Sequence, residues 1–80
     1  MRTSHQLLLR LWYDPQYDFS QVTIEYVSRG APDDRMVIPG PEVIHLDAEY
    51  FEISRPEGTV CIPYHRIRTI FYQGEVFWRR

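Results

Sequence analysis

Residues 62–67 read Ile-Pro-Tyr-His-Arg-Ile. Pro63 ends a strand-like run, and an aromatic ring, an imidazole and a guanidinium follow at once, so three recognition groups are set at the end of a sheet. Tyr64 offers a face for a nucleobase, Arg66 a planar fork for two phosphate oxygens, and His65 a donor whose charge changes near neutral pH. A plainer reading makes Tyr64 core, pairs Arg66 with a carboxylate and lets His65 cap a turn, and composition alone favours it. Arg29-Gly30 repeats the pattern, because the glycine lets the backbone turn while the arginine projects beyond the sheet, where a guanidinium is usually just solvated. His5, His45, His65 and the lone Cys61 are scattered without paired ligand spacing, so no metal site is expected. The four glycines are isolated at turns and form no phosphate loop, and no cofactor is expected. Cys61, between Val60 and Ile62, reads as a small buried thiol.

Eighty residues bound the chain to one domain, spanning 1–80, and so short a chain needs a dense core. A content of 44% apolar and 15% aromatic residues meets that need and argues against disorder. One cysteine cannot form an internal disulfide, so a reducing, cytoplasmic setting fits best. The leading leucine run is broken by Arg10, and no stretch approaches membrane-spanning length, so no membrane partner is expected. The formal charge of −2 argues against a protein that coats long nucleic acid, since such binding draws on many phosphate contacts. A small anion site remains compatible with it. All nine basic residues are arginine, whose fork suits bidentate phosphate contacts better than an ammonium does, although a GC-rich genome would give the same bias.

Several elements must position these groups. Thr3 and Gln6 have capping-box spacing, Leu8, Leu11 and Trp12 recur at helical spacing, and Asp14-Pro15 stops the element, so a short helix begins near Ser4. From Val22 the period becomes two, with Val22, Ile24 and Tyr26 alternating against Thr23, Glu25 and Val27. Ala31-Pro32-Asp33-Asp34 reads as a turn leading into a returning strand at 36–38. Pro39-Gly40-Pro41 forces another turn, and short strands follow at 43–46, 50–53 and 60–62. The chain closes with a hairpin, 68–72 and 75–79, joined by Gln73-Gly74. In that register Ile70 faces Phe77, Thr69 faces Trp78 and Arg68 opposes Arg79, with apolar residues on both faces that both need covering. The fold class is α+β: a short N-terminal helix packed on a mostly antiparallel sheet of about five to six short strands, meandering into a compact sheet or partial barrel.

Three runs carry a resemblance. Arg29-Gly30-Ala31-Pro32 followed by an acidic residue, residues 62–67, and the closing Gly74-Glu75-Val76-Phe77-Trp78-Arg79 resemble a small prokaryotic, largely archaeal family proposed to be an RNA cyclic-group end-recognition domain. The resemblance covers nearly the whole chain, and the proline-tyrosine-histidine-arginine run is its most specific part. It implies a module that stands alone or is fused to RNA repair and end-processing enzymes and binds RNA ends carrying a 2′,3′-cyclic phosphate. Carried over residue by residue, it points to Arg29, His65 and Arg66, with Tyr64 and Arg79 beside them. Asp33 stands where the family usually has glycine, and Pro39 and Pro41 flank Gly40 where members are often basic or polar, so the first hairpin is expected to differ in shape.

The leading expectation is therefore a non-catalytic module whose partners are RNA 3′ ends and RNA repair or processing enzymes. A cyclic phosphodiesterase using His45 and His65 as base and acid is the alternative. A protein-interaction module using Phe77 and Trp78 is a third reading. What separates them first is whether Arg29, His65 and Arg66 share one pocket.

Overall fold

The computed structural model describes residues 3–80. Helix α1, Ser4–Tyr13, starts where the capping spacing places it. The Gln6 N–H donates to Thr3 Oγ1 at 3.2 Å, and the Thr3 N–H donates to Gln6 Oε1 at 3.0 Å. Two otherwise orphaned amides are thereby satisfied. Ten residues form a marginal helix in isolation; what holds α1 is Leu8 and Leu11, both fully buried in the core.

Seven antiparallel strands follow, in two sheets that do not close into a barrel. They are β1 Val22–Val27, β2 Arg35–Pro39, β3 Val43–Leu46, β4 Tyr50–Arg55, β5 Gly58–Pro63, β6 Ile67–Tyr72 and β7 Glu75–Arg79. The four-stranded sheet has the order β2-β1-β6-β7 and the three-stranded sheet the order β3-β4-β5. The chain is thus not a simple meander: β6 returns past an inserted three-stranded sheet to pair with β1. Val22, Ile24, Tyr26, Ile38, Ile67 and Ile70 of the larger sheet share one core with Leu8 and Leu11 of α1 and with Val43, Phe51, Ile53 and Ile62 of the smaller sheet.

One bulge interrupts the pairing of β1 with β6, and a second corrects the β6–β7 hairpin register expected from sequence. Glu25 pairs with Thr69 and Tyr26 with Ile67, which leaves Arg68 as the extra residue on β6. On β7, Val76 pairs with Phe71 but Trp78 pairs with Ile70, so Phe77 is extra and Arg79 lies opposite Thr69 rather than Arg68. A bulge seats consecutive residues on nearly the same side of a strand. Phe77 accordingly packs edge-on to Tyr17, at 5.7 Å between centroids, while Trp78 also packs against the core. The outer face of the large sheet is not covered as expected: Val37 is 58% and Val76 49% exposed. Cys61 is likewise exposed, as are all residues of β5 before the buried Ile62.

At the β6–β7 turn both Gln73, φ 52°, and Gly74, φ 82°, are left-handed, the mark of a type I′ hairpin. Glycine tolerates this and glutamine does not. Gln73→Asn is therefore expected to raise stability by roughly 0.5–1 kcal/mol, since asparagine enters this region at lower cost than other side chains; the urea midpoint at unchanged slope checks it.

Candidate functional site

Antiparallel pairing brings the end of β1, the start of β2, the start of β6 and the end of β7 to the same end of the large sheet. The one-turn segment Tyr64–Arg66, which leads into β6, lies there too. So does the start of α1, because the buried Ser4 hydroxyl donates to the Tyr64 carbonyl at 3.2 Å. His5, one residue on, stacks its ring on Tyr64 at 4.1 Å and 17°.

Between these elements lies a cleft of about 580 Å³, with Thr3, Ser4 and His5 on one side, Tyr64 and His65 at its base, and Trp78, Arg79 and Arg80 opposite. Its walls are largely apolar, and no aspartate or glutamate lines it among the described residues. The Arg80 Nε–H donates to the Ile67 carbonyl at 3.1 Å, and its guanidinium lies 5.7 Å from the Trp78 ring centroid, so backbone and aromatic face together hold this cation at the rim. The N-terminus of α1 adds its partial positive charge.

Tyr64 is only 7% exposed. His5 covers one face of its ring, Phe51 packs nearby at 5.7 Å, and its hydroxyl donates to the Asp47 carbonyl at 2.6 Å. It anchors His5 rather than presenting an open face. Burial, and secondarily the charge of Asp47, pushes its pKa up to about 12. The folded protein therefore keeps this proton where the unfolded chain has begun to lose it, and the stability it contributes is present below pH 10 and lost as pH rises from about 10 towards about 12. Tyr64→Phe should cost about 1 kcal/mol near neutral pH through the lost hydrogen bond. Urea titrations at intervals from pH 7 to 12 should show its deficit against the parent shrinking above pH 10.

The other residues singled out in the sequence are distributed around this cleft. His65 and Arg79 line it, whereas Arg66 lines a separate hollow of about 340 Å³ beside Ser28 and Cys61. Arg29 projects from the β1–β2 loop at the same end of the sheet and lines neither cavity. Arg29, His65 and Arg66 thus share an end of the fold but not a pocket. Among the described residues no carboxylate lies within ion-pair distance of Arg29, Arg66, Arg68, Arg79 or Arg80, whereas Arg10, Arg35 and Arg55 are each paired. The unpaired guanidinium groups are concentrated at one end of a chain whose formal charge is −2. His45 is on β3, exposed and 4.0 Å from Asp47, and does not line the cleft. The histidine that shares the cleft with His65 is His5. Sequence reading passed over His5, Trp78 and Arg80 as site residues, because nothing local to them signals that the helix start, the last strand and the Tyr64 turn meet.

Over residues 1–80 the chain matches the family described as the MJ1316 RNA cyclic group end recognition domain. It belongs to this family. Two archaeal relatives, each named UPF0248 protein, match most of the chain. The one from Thermococcus onnurineus is 39% identical over 74 residues, covering 91% of this chain and 79% of its own length. That from Archaeoglobus fulgidus is 33% identical over 69 residues, covering 86% and 91% respectively. No solved structure matches the chain. Among the described residues, no helix of this family member is long and apolar enough to cross a membrane.

Proposed function

We propose that the cleft between the start of α1 and the end of β7 binds a single-stranded RNA end carrying a 2′,3′-cyclic phosphate. The observation that carries this reading is the convergence of His5, His65, Arg79 and Arg80 on an apolar, Trp78-walled cleft that no aspartate or glutamate lines among the described residues. A cyclic phosphate end bears one negative charge, and both terminal ribose oxygens are esterified, so it offers acceptors and no hydroxyl donors. A diol end offers two donors and no charge. A cleft furnished with guanidinium, imidazole and hydroxyl donors suits the first and leaves the second unmatched. Trp78, whose ring carries the Arg80 guanidinium, supplies an apolar wall for the last base, a contact tolerant of sequence. Arg29 and Arg66 add positive potential at the same end, which raises the rate of encounter. The family's description supports the same reading, and a role beside RNA repair or processing enzymes belongs to it.

Fluorescence anisotropy with a 5′-labelled tetraribonucleotide tests the proposal. The cyclic-phosphate end should bind at least tenfold more tightly than the diol end of the same sequence. The salt slope should be shallow, about −0.7 for each phosphate neutralised on a single strand. Equal affinity for both ends would overturn the reading.

The presence of two histidines in the cleft favours one alternative, hydrolysis of the cyclic phosphate with His5 and His65 as base and acid. Incubation with a cyclic-phosphate dinucleotide, with His65→Ala protein as the control for contaminating nuclease, separates the two: unchanged substrate leaves recognition alone.

A further inference from the structure

Arg79 and Arg80 line a second depression as well as the cleft. It has a volume of about 500 Å³ and opens toward Arg68, Asp33 and Asp34. We propose that this depression holds the penultimate nucleotide of the RNA, its phosphodiester on Arg68 and Arg79 and its ribose 2′-hydroxyl on Asp33. This deepens the end-recognition reading and rests on it.

The lining looks hostile to an anion until its carboxylates are sorted. Glu25 is already engaged, accepting from Arg35 at 3.1 Å through one oxygen and from the Thr69 hydroxyl at 2.7 Å through the other. Asp34 accepts from the Gly30 N–H at 3.4 Å. Asp33 has neither an ion pair nor a side-chain hydrogen bond among the described residues. Its backbone is left-handed, φ 57°, as is that of Asp34, φ 54°. Two such residues in succession, neither of them glycine, are a strained way to build a hairpin, and strain of this kind collects at binding sites.

A carboxylate cannot serve the phosphate, but it is the natural acceptor for a hydroxyl. In an RNA ending in a cyclic phosphate the last 2′-oxygen is inside the ring. The first free 2′-hydroxyl from that end belongs to the penultimate ribose, and it is there that such a site can distinguish RNA from DNA. A depression that adjoins the cleft through two shared arginines, and that combines the unpaired Arg68 with a free carboxylate, matches a phosphate and a ribose hydroxyl one nucleotide upstream. The bulge on β6 contributes by setting Arg68 out of the regular pairing with β1.

Isothermal titration tests this with a nucleoside 2′,3′-cyclic phosphate, a dinucleotide with that end, the same dinucleotide carrying 2′-deoxyribose at the penultimate position, and the diol counterparts of the first two. The dinucleotide should bind at least tenfold more tightly than the mononucleotide. Arg68→Ala should remove that gain and leave mononucleotide affinity unchanged. The deoxy substitution should weaken binding about fivefold in the parent protein and not at all in Asp33→Gly, where glycine accepts the backbone conformation and deletes only the carboxylate. Circular dichroism confirms that both variants fold. If mononucleotide and dinucleotide bind alike, or Arg68→Ala weakens both equally, the depression has no such role while end recognition stands. If neither cyclic ligand binds better than its diol counterpart, end recognition fails and this proposal fails with it.

Discussion

Replacing Gly40 by alanine is expected to destabilise the domain severely, lowering its melting temperature by at least about 12 °C. Gly40 opens the one-turn segment Gly40–Glu42 and is buried against the segment Phe19–Gln21. A Cβ there would collide with the carbonyl oxygen of Phe19, far inside contact distance. That oxygen is backbone and cannot rotate away, so relief requires one segment to move relative to the other. Phe19 in turn packs edge-on to Trp12 of α1, at 4.8 Å between centroids, so the movement would be passed to the helix. The φ of Gly40 is not in the left-handed region, so the penalty comes from collision alone. Overpacking commonly costs 1–3 kcal/mol, and a backbone collision of this depth belongs at or above about 3 kcal/mol. A chain of this size is stable by only about 4–12 kcal/mol, and a loss of 3 lowers the melting temperature by roughly 12–24 °C. Differential scanning calorimetry measures this directly. Combining the change with Phe19→Ala should bring no rescue, and recovery of stability in that double variant would show that the ring, not the carbonyl, is the obstacle.

Arg79→Glu is expected to give the largest single loss of RNA-end binding with the fold intact. Arg79 is exposed near the end of β7, opposite Thr69, and lacks an ion-pair partner among the described residues, so folding does not depend on its charge. It lines both the cleft and the adjoining depression. Reversal removes a charge-assisted hydrogen bond worth about 1.5–3 kcal/mol and adds repulsion of the phosphate, so affinity should fall by at least about a hundredfold. Anisotropy with the cyclic-phosphate tetranucleotide reads the loss, and the thermal melt should shift little. A variant that binds as the parent does would remove Arg79 from the site.

The parts of this molecule that were legible in the sequence are those decided by neighbours in the chain. Thr3 and Gln6 cap a helix within one turn, and the alternation from Val22 to Val27 fixes which side of β1 is buried. The run Ala31-Pro32-Asp33-Asp34 was readable as a turn, but the left-handed backbone of both Asp33 and Asp34 was not. The parts that were not legible depend on residues far apart. The bulge at Phe77 shifts the register that simple hairpin counting gives, and it seats Phe77 against Tyr17, a residue 60 positions away. His5 acquires its place only through the packing of the helix start against Tyr64, 59 positions later in the chain. Tyr64 was readable as a key residue of its run, but not as one whose ring would be covered on one face by that histidine.

The cleft is bordered by Arg80. Any polypeptide joined after Arg80 begins its path at the rim of the site. A short flexible tether confines what it carries to an effective concentration in the millimolar range. An RNA end held by Trp78 and Arg79 would therefore be presented to a tethered enzyme in an almost intramolecular encounter, and even a weak catalytic domain would meet its substrate there far more often than in free solution. The same geometry makes a bulky purification tag placed directly after Arg80 a competitor for the cleft, so binding measurements call for a tag that is cleaved away.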